Sequence, residues 1–242
     1  MKINKIIEIM ANPIEKNGTP NTEELLTKRE ASFLKYKNVI ISVVAAIIVI
    51  VAGTIIYKNY VAEPRQDEAS TALAKGQEYF ANQQYDKALN GDGTGYAGFV
   101  KIASDYSSTD AGNLANLYAG LCYANLNKWK EAVQYLEDYS TAGDMMISPA
   151  AVSALGDAYA HVNELDKAVE CFKKAAKMAD SKADEKTNNS LSPTFLIKAA
   201  EILESQNKKD EALEIYNDIK KKYVNSAVSQ EIDKYIERAT TK

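Results

Sequence analysis

The longest apolar run of the chain lies near its N-terminus. From Val39 to Ile56 there are 18 residues without a charge, and Lys37 and Lys58 flank them. An α-helix rises about 1.5 Å per residue, so the run spans about 27 Å, close to the roughly 30 Å hydrocarbon core of a bilayer. The pattern predicts a transmembrane helix over residues 39–57. A cleaved signal peptide is the alternative, but 38 residues precede this run, it exceeds the usual apolar core, and no clean A-x-A site follows it.

Residues 1–38 hold a short amphipathic stretch from Ile3 to Met10 and then a region of helix breakers from Asn12 to Pro20. Asn21 with Glu24 three residues later resembles a capping box, so a helix is expected to begin there and continue into the apolar run. The amphipathic stretch has three open interpretations: a surface helix on the membrane, a partner-binding segment or a weakly ordered tail.

Basic residues are unevenly placed around the apolar run. Before it stand Lys28, Arg29, Lys35 and Lys37, and within a similar reach after it stand Lys58 and Arg65. Since the more basic flank of a membrane helix stays inside the cell, residues 1–38 are predicted to be cytoplasmic and the rest of the chain to lie outside the cytoplasm.

Beyond Pro64 the apolar residues follow helical spacing, and the pattern itself recurs. The segment AGLCY at 119–123 is followed by Trp129, Ala132 and Leu136; the segment LGDAY at 155–159 is followed by Leu165, Ala168 and Phe172. Two flanking units share parts of the pattern. The predicted packing positions of all four units are Gly76, Tyr79, Ala88, Gly120, Tyr123, Ala132, Gly156, Tyr159, Ala168, Phe172, Ala200, Ala212 and Tyr216. Small residues where two helices nearly touch, with large residues beside them, are typical of antiparallel helical hairpins.

The repeats are unequal in length, because their equivalent small residues lie 44, 36 and 44 positions apart. The extra residues are expected in loops, at the Gly-rich stretch 90–98, with a helix resuming near Phe99, and in the polar run 180–193. The tail from Ser226 has helical spacing and is expected to cap the last unit. These observations predict an all-α chain: a linker and helix entry over residues 58–69 and, over residues 70–242, an α-solenoid of about four hairpins closed by a C-terminal helix.

Charge argues against a nucleic-acid surface. Residues 1–61 carry eight Lys and Arg against five Asp and Glu, whereas the rest carries 21 against 28. The repeat region is therefore acidic, which disfavours phosphate backbones as partners.

Residues that could carry chemistry are few. Gly93, Gly95 and Gly98 spell G-x-G-x-x-G, but a phosphate loop needs a preceding strand, and here the motif interrupts a helical hairpin. The same stretch imitates the start of a calcium loop, yet its twelfth position is Lys101 where a bidentate Glu is needed. We therefore expect a flexible turn.

His161 is the only histidine, so a His-based metal cluster is excluded. Cys122 and Cys171 stand in helical patterns and are interpreted as buried hydrophobes, with a disulfide as the alternative. No nucleophile has a recognisable base, and the sequence indicates neither an enzyme nor a cofactor.

The repeated pattern resembles the tetratricopeptide repeat (TPR), at its small residue, its aromatic three later, its alanine twelve later and its bulky residue sixteen later. With the N-terminal span, the chain is similar to membrane-anchored periplasmic TPR proteins that include the ancillary subunit of the bacterial Sec translocon. The resemblance implies a periplasmic domain on the bacterial inner membrane that binds exported proteins, periplasmic chaperones or translocon components. A structural, self-associating subunit of an envelope complex is the alternative.

The resemblance also implies a peptide-binding groove built from the first helix of each hairpin. Its positions fall on Leu117, Leu121, Asn125, Ser153, Asp157, His161, Ile197, Glu201 and Ser205. The Lys and Asn set with which co-chaperone TPRs clamp a C-terminal carboxylate is absent from these positions. A mixed apolar and acidic groove suits an extended or helical peptide instead.

Overall fold

The computed structural model describes the backbone of residues 22–241 and the side chains from Lys35 to Thr241. The predicted amphipathic stretch at Ile3–Met10 and the predicted cap at Asn21 lie outside these residues. Within them the chain divides into two compact units, with the boundary between Asn59 and Tyr60. Regular structure in both units is helical, and no strand occurs in the described part of the chain.

The first unit contains one long helix, α1 (Thr22–Tyr57), which includes the whole apolar run. Its side chains from Lys35 onward are exposed, including those of Ile48 and Val49. The hydroxyls of Ser42 and Thr54 donate to carbonyls of the same helix, those of Asn38 and Val51. This arrangement satisfies the polar groups of the run internally, as a helix in an apolar solvent requires.

The second unit is a series of helical hairpins. After a π-helical turn (Lys58–Ala62) its helices are α2 (Glu63–Ala81), α3 (Tyr85–Asn90), α4 (Phe99–Asp105), α5 (Asp110–Asn125), α6 (Trp129–Asp138), α7 (Ile147–His161), α8 (Leu165–Lys182), α9 (Ser192–Ser205), α10 (Lys209–Lys222) and α11 (Ile232–Thr240). Short 3₁₀ helices occupy Asp184–Lys186 and Ala227–Gln230. This unit begins at Tyr60, and its first helix begins at Glu63, within the residues 58–69 that the sequence assigns to a linker and helix entry.

Four hairpins follow one another along the unit: α2 with α3 and α4, α5 with α6, α7 with α8, and α9 with α10. Each hairpin packs on the next, and α11 packs on α10. The predicted all-α solenoid of about four hairpins with a C-terminal capping helix is therefore confirmed. The second helix of the first hairpin is split in two by the Gly-rich stretch, and α4 begins at Phe99 as the sequence predicts.

One turn geometry joins the two helices of every hairpin. The residue in the left-handed conformation is Gln83, Asn127, Asn163 or Asn207, with φ of 57°, 58°, 64° and 60°. The next N–H donates to a carbonyl five residues back, at 2.9 Å in all four turns. This bond satisfies a carbonyl at the end of the first helix. Asn tolerates this conformation better than most residues, which explains its presence at three of the four turns.

Small residues of the first helices face large residues of the second helices. A Cβ added at Gly120 would lie 2.6 Å from Leu136 Cγ, and one added at Gly156 would lie 3.0 Å from the Phe172 ring. At Gly76 it would overlap both the Tyr96 hydroxyl and the Phe99 ring. The other predicted packing positions are buried, apart from Tyr79 and Tyr123, which are partly buried.

The helices leave two edges, which we name by their connections. At the turn edge lie the four hairpin turns. At the loop edge α2, α5, α7 and α9 begin and α4, α6, α8 and α10 end. Hydrogen bonds run along the loop edge from hairpin to hairpin. The Gln66 side chain accepts from the Asp110 N–H at 3.0 Å, and the Asn113 side chain bonds both backbone groups of Ser140 at 2.7 and 2.8 Å.

A buried carboxylate closes the same edge between the last two hairpins. Asp180, near the end of α8, accepts from the Ser192 hydroxyl at 2.6 Å, the Tyr223 hydroxyl at 2.7 Å and the ammonium of Lys222. Burial alone would raise the pKa of Asp180, but these bonds and one from the Asn188 N–H outweigh it and lower the pKa. The end of α8, the start of α9 and the end of α10 are thus joined at one charged group.

The polar run 180–193 is less of a loop than the sequence predicts. Helix α8 continues to Lys182, and α9 begins at Ser192. The extension has a packing reason, since Ala175, Ala176 and Ala179 are buried in one cluster with Phe195 of α9. Part of the added length of this repeat is therefore helix.

We expect the three glycines to differ in their tolerance of alanine. Alanine gains about 1 kcal/mol of helix propensity over glycine, so the outcome depends on whether the neighbour can move. At Gly156 the added Cβ would come no closer than 3.0 Å to the Phe172 ring, so a small shift suffices and Gly156→Ala should be close to neutral. The branched Cγ of Leu136 is less free, and Gly120→Ala should destabilise. Gly76→Ala, which meets two aromatic side chains, should destabilise most, by about 1–3 kcal/mol. Urea unfolding measures this order, and an equal effect at all three sites would contradict the packing described.

A second expectation concerns the turn that lacks asparagine. Gln83→Gly should stabilise the protein by about 1 kcal/mol, because a left-handed conformation costs a residue with a Cβ about that much. The matched control is Gln84→Gly, since Gln84 has φ of −87° and gains nothing from glycine. Stabilisation at both positions, or at neither, would show that the turn conformation is not the cause.

Candidate functional site

The predicted groove residues lie on α5, α7 and α9, three on each helix at a spacing of four residues, which places them on one face of each helix. Three of them, Leu117, Ser153 and Ile197, are buried. Their side chains pack between helices and are not accessible to a partner. The accessible surface is therefore formed by the other six: Leu121, Asn125, Asp157, His161, Glu201 and Ser205.

The centre of this surface is a charged pair. Lys198 Nζ lies 2.7 Å from Asp157 Oδ2 and 2.9 Å from Oδ1, linking α9 to α7. The same ammonium lies 5.3 Å from the centroid of the Phe172 ring. Both side chains of the pair remain partly exposed, so it is a polar contact that a peptide backbone or side chain could still reach.

Lys198 was not predicted from the sequence. Its equivalents in the two preceding repeats are Ala154 and Tyr118, so no repeated signal marks the position. Arg238 of α11 was missed for a similar reason, as it lies outside the repeats. Arg238 binds Glu204 at 2.6 Å and approaches Glu201 to 3.7 Å, so the capping helix contributes to the last part of the surface.

An aromatic stack lies at the turn edge of the surface. The Trp129 and His161 rings are nearly parallel, at an angle of 4°, with centroids 3.6 Å apart. Trp129 begins α6 and His161 ends α7, so the stack joins the second hairpin to the third. His161 is exposed, and the pair offers a flat aromatic platform. Asn125, which ends α5 at the same edge, donates through its amide to the Leu121 carbonyl of its own helix.

The Gly-rich stretch is held in place by a single carboxylate. Asp92 accepts from Lys75 Nζ at 2.8 Å, the Tyr79 hydroxyl at 2.8 Å, and the N–H groups of Thr94 and Tyr96 at 2.8 and 3.0 Å. These donors, Lys75 first, hold the pKa of Asp92 well below its usual range. A helix, not a strand, precedes the stretch. The predicted turn is therefore fastened to α2 through Asp92, and the carboxylate that a cation would need is already occupied by these donors.

A cleft of about 440 Å³ lies between α6, α7 and α8. In it the Tyr159 hydroxyl donates to Glu137, and Lys167 Nζ lies 4.9 Å from the centre of the Tyr159 ring. Cys171 lines the cleft as a free thiol whose pKa is raised by burial, which makes it a poor nucleophile. The charged residues Lys167, Glu170 and Lys174 line the cleft together with it.

The other cysteine, Cys122, is also a free thiol, and burial in the core raises its pKa to about 12. The structure therefore contains two unpaired cysteines and not the alternative disulfide. Within residues 22–241, no group of three or more His, Cys, Asp or Glu side chains is arranged to hold a metal ion.

The fold and this surface define a class, the α-solenoid of helical hairpins that presents an extended surface to other molecules. Comparison with known families gives the repeat type. Residues 114–141 and 195–226 match one family described as tetratricopeptide repeat, and residues 151–182 match a second family of the same description. The chain thus contains tetratricopeptide repeats in its second, third and fourth hairpins; the first hairpin, which shares their turn geometry, lies outside the matched residues. No curated protein matches the chain.

The aromatic stack can be tested with the only tryptophan of the chain. His161→Ala should shift the emission of Trp129 to longer wavelength, because water replaces the imidazole, and should cost about 1 kcal/mol of stability. The control is Ser205→Ala, at the equivalent position of the next hairpin. An unchanged emission spectrum in the His161 variant would contradict the stack.

Proposed function

We propose that the chain is a membrane-anchored scaffold that binds other proteins through the surface of α5, α7 and α9. The observation that carries the proposal is the combination of two parts: repeats of a protein-interaction type, and one helix suited to a bilayer. The helix contains an 18-residue window with mean hydropathy of 3.1, and none of that window is buried.

The anchoring half of the proposal rests on α1. The apolar segment 39–57 is long enough to cross the hydrocarbon core once, and its polar side chains bond within the helix. A signal sequence shares this apolar character. We favour retention because the helix continues without a break from Thr22 to Tyr57 and no A-x-A site follows it. The excess of Lys and Arg before the segment supports a cytoplasmic segment 1–38 and a periplasmic repeat domain on a bacterial inner membrane.

The binding half rests on the six accessible groove residues. They combine an apolar group, Leu121, with polar and charged groups around the pair of Asp157 and Lys198. The platform of Trp129 and His161 adds a flat aromatic contact of the kind that is enriched at protein interfaces. Such a surface suits extended or helical segments of exported proteins, of periplasmic chaperones or of translocon components. Catalysis has no part in this proposal.

The orientation can be checked with a reporter that is active only outside the cytoplasm, fused after Lys242. Activity in a product that resists alkaline extraction from membranes is the expected result. Reversal of the basic residues, with Lys35→Gln and Lys37→Gln combined with Asn59→Lys, should reduce it, because these residues set the orientation. An inactive reporter on the membrane-inserted unaltered chain would show that the orientation is the opposite one.

Photocrosslinking in intact cells tests the partner surface. A photoreactive residue at Asn125 or at Glu201 should give several adducts of different mass, since a scaffold meets several partners. The matched control is Lys173, which is exposed on α8, outside the predicted groove. A single adduct of twice the chain's mass from the groove positions would instead support the self-associating subunit of an envelope complex. Equal adducts from groove and control positions would show that the groove is not the binding surface.

A further inference from the structure

The exposed large apolar side chains of the repeat unit all belong to one edge. Among the described residues from Tyr60 to Thr241 they are Tyr60, Val61, Met145, Met146, Ile147 and Val224. Tyr60 and Val61 directly precede α2, the Met145–Ile147 segment leads into α7, and Val224 follows α10. All six therefore stand at the loop edge. At the turn edge the exposed residues between the helices are polar, such as Gln83, Asn127 and Asn163.

The Met145–Ile147 segment is held so that its side chains point to solvent. Met145 is 45% exposed, Met146 63% and Ile147 52%. The Asp144 carboxylate accepts from the N–H groups of Met146 at 2.8 Å and Ile147 at 2.5 Å, and from the Ser148 hydroxyl at 2.5 Å. Ser148 is itself buried, so the turn is fastened to the body of the domain.

The charged group next to this segment, the Asp144 carboxylate, is fully engaged in these hydrogen bonds. The hydrogen bond from Ser148, followed by those from the backbone, lowers the pKa of Asp144 to about 2. The carboxylate therefore supports the conformation and leaves the three apolar side chains as the outermost groups. Consecutive apolar residues exposed in this way are unfavourable in water and mark a contact surface.

The loop edge is also the edge at which the chain arrives from α1, because Tyr60 and α2 begin there. From this we propose that the loop edge of the repeat unit rests on the membrane surface, with Met145, Met146, Ile147 and Val224 inserted among the lipid headgroups. The inference rests on the membrane anchoring proposed above. A tether that ends at this edge keeps it near the bilayer at high effective concentration, so even modest apolar contacts with lipid are reinforced. Tyr60 fits the same position, since tyrosine favours the membrane interface.

For the proposed function, this inference determines how the repeat unit is oriented relative to the membrane surface. With the loop edge on the bilayer, the turn edge and its platform of Trp129 and His161 point away from the membrane. The groove helices α5, α7 and α9 then run away from the membrane surface, from the loop edge to the turn edge. A partner therefore approaches the groove parallel to the membrane.

Depth-dependent quenching tests the inference on the full chain, reconstituted in vesicles of phosphatidylcholine and phosphatidylglycerol. A polarity-sensitive dye is attached to Met146→Cys, to Val224→Cys or to the control Lys128→Cys at the turn edge. All three are built on Cys171→Ala, and the buried Cys122 stays unreactive. Nitroxide-labelled lipids should quench the dyes at positions 146 and 224 severalfold more than the dye at position 128.

Equal quenching at the three positions would overturn the inference. So would a dye at position 146 that is shielded from an aqueous quencher but untouched by lipid nitroxides, because a second protein chain would then cover the edge. Alkaline extraction of the vesicles separates the two proposals. A chain that is released fails as an anchored protein, and both proposals are lost; a chain that stays in the membrane without lipid quenching removes only the inference about the edge.

Discussion

The repeat unit depends on one close approach between helices, made at the same place in every hairpin. A small residue of the first helix, Gly120 for example, lies under a large residue of the second, here Leu136. Sixteen residues separate the two positions, and Gly156 with Phe172 and Ala200 with Tyr216 repeat the separation. In the first hairpin the Gly-rich stretch intervenes, and Phe99 takes the place of the large residue over Gly76. This approach sets how the two helices of each hairpin pack together. Stacking of successive hairpins then produces the surface proposed for binding.

The hairpins could be predicted from the sequence because their pattern is local and repeated. Small, aromatic and alanine positions fall within one hairpin, and each recurs in the next, so the register could be predicted without any distant contact. The same logic explains the capping helix, whose apolar positions follow helical spacing. From the sequence, the groove residues could be placed on one face of each helix, but it could not be predicted which of them are exposed and which are buried. Leu117 and Leu121 are equivalent in pattern, yet only the second reaches solvent.

The contacts that the sequence did not reveal are polar and join residues about 40 positions apart. Asp180 with Tyr223 and Asp157 with Lys198 are examples. A single carboxylate has no periodicity, so nothing in the pattern distinguishes it from the many charged residues of the surface. Asp92 shows the same difficulty: the glycines around it indicated a flexible turn, whereas four donors converge on its side chain. Interactions of this kind fasten the loops to the helices at places that their composition does not indicate.

The capping helix α11 has a consequence for how copies of the chain behave towards one another. A solenoid adds each hairpin to the apolar face of the one before, and nothing in that geometry limits its growth. Here α11 occupies the final face, where it buries Ile232 and Ala239 and is fixed by Arg238 on Glu204. Without it, the apolar face that includes Ile215 and Ile219 would be exposed to solvent and to contact with other molecules. The nine residues of α11 thus cover an apolar face that would otherwise be open to another molecule, besides completing the core of the last hairpin.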